Sequence, residues 1–237
     1  MSQPTIILLD IEGTTTPIDF VYQALFPFAR RRVGDYLSQH WSTEDVQNDL
    51  ELLRREHAAD MQQGLHPPEL QAEVELVRGY VHWLMDQDRK STPLKSLQGK
   101  IWQEGYQSGE LLSQVFDDVP FALQRWRQEG KQVYIYSSGS VLAQKLLFGH
   151  TVAGDLTPLL SGYFDTAVGA KTDAKSYRRI AASIEQSPEN ILFVSDVVAE
   201  LNAASEAEMQ CVLSLRPGNY PQPVNTFQLI TSFAELE

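Results

Sequence analysis

The stretch Ile6-Ile7-Leu8-Leu9-Asp10-Ile11-Glu12-Gly13-Thr14 decides the fold. Four large aliphatic residues in a row, without polar alternation, read as a short strand covered on both faces. That is the pattern of a parallel sheet with helices on either side. An acid follows at once, and a second lies two positions on. Helix capping explains a carboxylate directly after a buried strand poorly. Asp10 and Glu12 are therefore candidate chemistry at the carboxyl edge of a sheet, where open α/β folds bind their ligands.

Working outward, residues 133–136, 191–194 and 211–215 are apolar runs of the same kind, with 163–168 and 227–230 as weaker strand candidates. Helical patterns lie between them. Tyr177, Ile180, Ala181 and Ile184 fall at i, i+3, i+4 and i+7, behind Thr172 or Asp173 as a cap, and Pro120 opens a helix that runs to Gly130. The alternation predicts a doubly wound α/β fold with a mainly parallel, Rossmann-like sheet.

Residues 20–112 read differently. Val46, Leu50 and Leu53 have helical spacing, as do Val74, Val77, Val81 and Leu84; Gly64-Leu65-His66-Pro67-Pro68 and Ser91-Thr92-Pro93 interrupt them. No buried strand stands out. The expectation is a discontinuous α/β core of residues 1–17 and 113–237, a helical domain of residues 18–112 inserted after the first strand, and a sheet that resumes near Val115.

The residues after each strand then carry the argument. Residues 133–136 lead into Ser137-Ser138-Gly139-Ser140, small hydroxyl residues at a helix start, where free N–H groups favour an anion. Lys171 precedes the helix at Thr172, and residues 191–194 lead into Ser195-Asp196. Each has a bland reading: a turn with a cap, a solvated lysine, an N-cap aspartate as readily as a metal ligand. Their joint occurrence at one sheet edge points to a metal-assisted phosphoryl site.

Composition excludes other classes. Of 237 residues, 19 are Lys or Arg and 31 Asp or Glu, a net charge of −12 that would repel a phosphate backbone over most of the surface. The single cysteine, Cys211, rules out an internal disulfide and fits a reducing cytoplasm. The N-terminus lacks a basic segment, and its apolar run stops at Asp10, too early for a signal peptide. No stretch nears the roughly 20 apolar residues of a membrane span. A cytoplasmic monomer without nucleic-acid or membrane partners is expected.

The order Asp10-Ile11-Glu12-Gly13-Thr14, Ser137 or Ser138, Lys171, Asp196 resembles the four motifs of the haloacid dehalogenase superfamily of phosphotransferases. Its helical insertion resembles that superfamily's cap domain. Most phosphatases of the superfamily have Asp two residues after the nucleophile, where this chain has Glu12. Together with Tyr134-Ile135-Tyr136-Ser137-Ser138-Gly139-Ser140-Val141, Gln144-Lys145-Leu146-Leu147-Phe148-Gly149-His150, Tyr163-Phe164-Asp165-Thr166, Lys175-Ser176-Tyr177-Arg178 and Arg216-Pro217-Gly218-Asn219, the chain resembles the enolase-phosphatase family of methionine salvage from Ile6 to Phe233, least in the cap.

The resemblance implies a Mg²⁺-dependent reaction of a small phosphorylated diketone, 2,3-diketo-5-methylthiopentyl-1-phosphate. It passes through an enol phosphate to acireductone and phosphate. Asp10 is then the nucleophile. Asp10, Asp196 and the Glu12 backbone carbonyl hold Mg²⁺, and Lys171 neutralises charge. Ser137, Ser138 and Lys171 bind phosphate, and Glu12 is the acid/base. The enolisation base is left open; the extra methylene of Glu12 gives it added reach toward the substrate carbon. Other readings are a capped phosphatase or phosphomutase with another metabolite, and a silent binding module, against which Asp10, Lys171 and Asp196 all speak.

Several features have plainer readings. Glu200, four residues after Asp196, is read as a solvated helix acid, and Arg30-Arg31-Arg32 as a solvated helix face. Arg216-Pro217-Gly218-Asn219 makes a turn at the site-bearing edge. Cys211 is a buried small hydrophobe, and the five histidines show no zinc pattern. No G-x-G-x-x-G or Walker loop is present.

Overall fold

A computed structural model describes residues 4–236. The chain divides into two compact units, Met1–Val21 with Leu112–Glu237, and Tyr22–Leu111.

The first unit is an α/β layer structure. Its strands are β1 (Ile6–Leu9), β2 (Gln132–Tyr136), β3 (Gly162–Phe164), β4 (Ile191–Ser195), β5 (Gln210–Ser214) and β6 (Gln228–Ile230). They form one sheet in the order β3-β2-β1-β4-β5-β6, every pair parallel. All four residues of β1 and all five of β4 are buried, which is why neither shows a polar alternation. Helices α5 (Val119–Gln128), α6 (Val141–Gly149), α7 (Ala174–Ser183) and α8 (Val198–Glu206) complete the unit.

Local sequence sets these elements. Asp173, not Thr172, caps α7: its side chain accepts a hydrogen bond from the Lys175 amide at 2.9 Å. Tyr177, Ile180 and Ala181 on α7 then pack against Phe193, Leu201 and Ala204. Tyr177 and Phe193 meet edge to face with ring centroids 5.1 Å apart. Removing such a buried ring costs about 3–5 kcal/mol, so Phe193→Ala would loosen the whole β4 layer.

One expectation fails. The sheet does not resume near Val115. Ser113 makes only an isolated bridge to Thr151, α5 comes next, and the next strand is β2. Val115 is buried from a loop, and that burial explains an apolar residue there without a strand.

The second unit is helical: α1 (Phe26–His40), α2 (Glu44–Gln62), α3 (Val74–Asp86) and α4 (Thr92–Gln107). Val46, Leu50 and Leu53 on α2 and Val77, Val81 and Leu84 on α3 form its core. Thr43 and Ser91 cap α2 and α4 by accepting from the Val46 and Leu94 amides at 3.4 and 3.3 Å. Among the described residues, no helix is long and apolar enough to cross a membrane.

Candidate active site

β1 lies at the centre of the sheet, between β2 and β4, where the chain's winding direction reverses. Its carboxyl end is therefore the crevice in which such a fold places ligands. Asp10 stands there, buried, its amide donating to the Val194 carbonyl at 3.0 Å. Thr15 Oγ1 donates back to the Asp10 carbonyl at 3.1 Å and holds the turn that follows.

Gly13 makes that turn possible. Its φ of +73° is left-handed, and an added Cβ would lie 2.7 Å from Asp196 Cγ and 2.9 Å from Asn219 Oδ1. The loop after β1 thus lies directly against the carboxylate after β4.

Lys171 is buried and its ammonium donates to Asp10 Oδ1. It also pairs with Glu200 Oε2 at 2.7 Å. Ser195 Oγ donates to the same Glu200 oxygen at 3.0 Å and lies 3.4 Å from Asp10 Oδ2. Burial alone would lower the Lys171 pKa, but the charges of Asp10 and Glu200 outweigh it and the net shift is upward, keeping the ammonium charged. The lysine is fixed from behind: Tyr177 OH donates to its carbonyl at 2.7 Å, and its ammonium lies 5.8 Å from the Tyr136 ring centroid.

The other carboxyls feel the crowding. Burial, then the charges of Asp10 and Glu200, push Asp196 up to about 7. Burial, then Asp10, raise Glu200 to about 7. Burial and Asp10 also raise Glu12, against the pull of Lys171 and a hydrogen bond from Ser137. Four carboxyl groups therefore share one ammonium. A site with that balance binds an anion only if a cation joins it.

Ser137 is buried after β2, and its Oγ accepts from the Gly139 amide at 3.1 Å. Ser138 is exposed. The expected free N–H cradle is partly spent. Ser140 Oγ takes the Ala143 amide at 3.2 Å, and Asp165 Oδ2 takes the Val141 amide at 3.3 Å. One hydroxyl of the loop and the Asp165 carboxylate after β3 thus already serve two amides at the start of α6.

A haloacid dehalogenase-like hydrolase family model matches residues 4–208. Enolase-phosphatase E1 of Synechococcus elongatus is 53% identical over 98% of this chain and 97% of its own. The chain belongs to the enolase-phosphatase E1 family of haloacid dehalogenase-like hydrolases. A Vitis vinifera protein named as a probable bifunctional methylthioribulose-1-phosphate dehydratase/enolase-phosphatase E1 is 48% identical over 97% of this chain, which spans 46% of that protein. Among solved structures, the UTR4 protein of Saccharomyces cerevisiae superposes with a TM-score of 0.82 at 34% identity, covering 99% of this chain and 100% of that one.

For an enolase-phosphatase the arrangement tests the implied Mg²⁺. Among the described residues no group of three or more His, Cys, Asp or Glu side chains is placed to hold a metal. The donors at the Gly13 turn are instead two carboxylates, Asp10 and Asp196, with the Glu12 carbonyl in the same loop. Asn219 Oδ1, buried there, has no hydrogen-bond partner among the described residues. An all-oxygen set with few carboxylates suits a hard ion that keeps several waters. The residues fit.

Two plainer readings change. Asp196 does not cap α8: Val197 occupies that position, and its amide is taken by Ser195 Oγ at 3.1 Å. Glu200 is not a solvated acid. Its side chain is 12% exposed and engages Lys171 and Ser195. The four-residue offset from Asp196 was its signal in the sequence, but only the start of α8 at Val198 turns it inward. Arg216 is structural. It is sandwiched between Phe116 and Phe233 at 4.8 and 4.6 Å and forks onto Asp118 at 3.1 and 2.9 Å. Burial pushes the Cys211 thiol up to about 12, so it is no nucleophile.

Proposed function

We propose that this protein converts 2,3-diketo-5-methylthiopentyl-1-phosphate, through its enol phosphate, to acireductone and phosphate in methionine salvage. The observation that carries the reading is the buried Asp10 carboxylate at the end of β1, paired with Lys171 and adjoined by Asp196 across Gly13. In this reading the helical unit Tyr22–Leu111 is the cap domain, and the protein works as a cytoplasmic monomer.

Asp10, Asp196 and the Glu12 carbonyl would hold Mg²⁺, which supplies charge neutralisation at the phosphate and polarisation of the diketone. Asp10 is the nucleophile. Its carboxylate forms a bond to phosphorus as the bond from phosphorus to the enol oxygen breaks, giving an aspartyl-phosphate and the acireductone. Lys171 fixes the attacking carboxylate and offsets charge on the phosphoryl oxygens. Ser137 and Ser138 bind those oxygens. Glu12, with its pKa raised, carries a proton to the leaving oxygen and then takes one from the water that hydrolyses the aspartyl-phosphate. We infer that its longer side chain also lets it take the proton from the substrate carbon, while the neighbouring carbonyl oxygen gains a proton from solvent to complete the enol.

The diketo phosphate is the test. With MgCl₂ present, phosphate release and acireductone absorbance should rise together. Phosphate without acireductone would favour a general capped phosphatase, and neither product would remove the assignment. Glu12→Asp should slow enol formation at least tenfold. An unchanged acireductone yield and rate would show that the extra methylene has no special role.

A further inference from the structure

The loop after β5 approaches the Asp10 turn through one side chain whose work is half accounted for. Asn219 Nδ2 donates to the Gly13 carbonyl at 2.9 Å and to the Ser214 carbonyl at 3.2 Å. Two carbonyl acceptors on one side fix which end of the amide is nitrogen, so Oδ1 must point the other way. That oxygen is buried and has no hydrogen-bond partner among the described residues. A buried carbonyl oxygen left without a donor is costly, so its surroundings call for an explanation. The position of the orphan is what matters. A Cβ added to Gly13 would fall 2.9 Å from Asn219 Oδ1 and 2.7 Å from Asp196 Cγ, so the amide oxygen and the carboxylate lie together against the same flank of the Gly13 turn.

We propose that Asn219 is a positioning residue of the metal site, its Oδ1 accepting a hydrogen bond from a water in the coordination shell of the divalent cation held by Asp196. The inference rests on the Mg²⁺ reading above. A magnesium-bound water is a strong donor and keeps its place only if acceptors surround it. Asn219 supplies one such acceptor while its nitrogen pins the Gly13 carbonyl, so one amide sets both the turn and the water.

Two variants separate this role from a merely structural one. Asn219→Ala removes the acceptor and the turn anchor together. Asn219→Asp also loses the donor to Gly13 but keeps an oxygen facing Asp196. Free Mn²⁺ counted by its electron paramagnetic resonance signal gives the ion's affinity for the full chain, with Mg²⁺ added to confirm competition. Asn219→Ala should bind Mn²⁺ about tenfold more weakly than the unmodified protein. Asn219→Asp should recover at least threefold of that loss, although melts in EDTA show both variants destabilised. Wild-type affinity in Asn219→Ala, or no recovery in Asn219→Asp, overturns the proposal and leaves Asn219 a turn anchor. Failure of the unmodified protein to bind Mn²⁺ overturns the metal reading itself, and the inference with it.

Discussion

Each unit of this protein buries a cluster of charge, and the two clusters are built to opposite rules. In the helical unit, Asp60 is 1% exposed, yet it accepts from Tyr80 OH at 2.7 Å and from Arg89 Nη2 at 2.8 Å. Arg89 also reaches Glu56 at 3.3 Å, and Ser91 donates to the other Glu56 oxygen. Each carboxylate has a hydroxyl donor of its own besides the shared Arg89, and the network ties α2 to α3 and to the start of α4. At the end of β1 the balance fails: four acids, Asp10, Glu12, Asp196 and Glu200, share a single cation, Lys171, and Asn219 Oδ1 has no hydrogen-bond partner among the described residues. Burial is costly for charge in both places. A hydrogen-bonded cluster offsets that cost by holding helices together. A cluster short of cations leaves its acids perturbed, the condition in which they serve chemistry.

The largest effect should come from breaking the unmatched cluster at Asp10, the nucleophile proposed above. Asp10→Asn should lower phosphate release by at least about a thousandfold, since no covalent intermediate can form, while circular dichroism and the melting curve remain those of a folded protein. Steady-state turnover near wild type would move the nucleophile elsewhere. The matched cluster should answer in the other currency. Asp60→Asn removes the more buried of Arg89's two carboxylate partners and should cost about 1.5–3 kcal/mol of stability in urea unfolding, as the loss of a charge-assisted hydrogen bond. A loss below about 0.5 kcal/mol would mean that the network does not hold the helical unit.

How far the sequence showed this contrast depends on which contacts are local. β1, β2, β4 and β5 are legible because strands buried on both faces need unbroken apolar runs, and the residue after each run falls at the carboxyl edge. Asp10, Ser137 and Asp196 follow from that rule, and Lys171 from its place before α7. The helical unit shows in the spacing of Val46, Leu50 and Leu53. Partners far apart in the chain do not show. Glu200 turns inward only because Ser195 Oγ holds the Val197 amide and sets where α8 begins. Arg216 reads as a turn residue until Asp118, Phe116 and Phe233 surround it. The apolar pair Val115-Phe116 resembles a strand start, yet Val115 is buried from a loop and Phe116 lies against Arg216.

Glu200 gives the next smaller test, because it belongs to the unmatched cluster without touching the reaction in the reading above. Glu200→Gln keeps a hydrogen-bond acceptor for Lys171 but removes the charge, and a charge-assisted bond is worth about 1.5–3 kcal/mol. kcat for phosphate release should fall about tenfold to a hundredfold, with KM changed far less, since Lys171 acts on the attacking carboxylate. A wild-type kcat would make Glu200 a bystander.

The smallest effect, a few degrees in melting temperature, bears on the charge imbalance itself. Asp196 and Glu200 rise from ordinary values of 3.8 and 4.5 to about 7 in the folded protein. A carboxyl raised by folding holds a proton that the unfolded chain has lost. Between pH 4 and 7 the unfolded state therefore binds fewer protons, and stability from these groups falls as pH rises. Above pH 7 both states are ionised and the loss is complete. A cation that takes the proton's place reverses it. Melts in EDTA should thus drop between pH 5 and pH 8 by more than those of Asp196→Asn, and MgCl₂ should raise the melting temperature more at pH 8 than at pH 5. The helical unit offers the control, since its carboxylates Asp60 and Glu56 already have donors in Tyr80, Arg89 and Ser91: Asp60→Asn should leave the pH dependence of the Mg²⁺ shift unchanged. Equal Mg²⁺ shifts at both pH values would mean that the acids at the end of β1 are already balanced, and the contrast between the two clusters would lose its electrostatic basis.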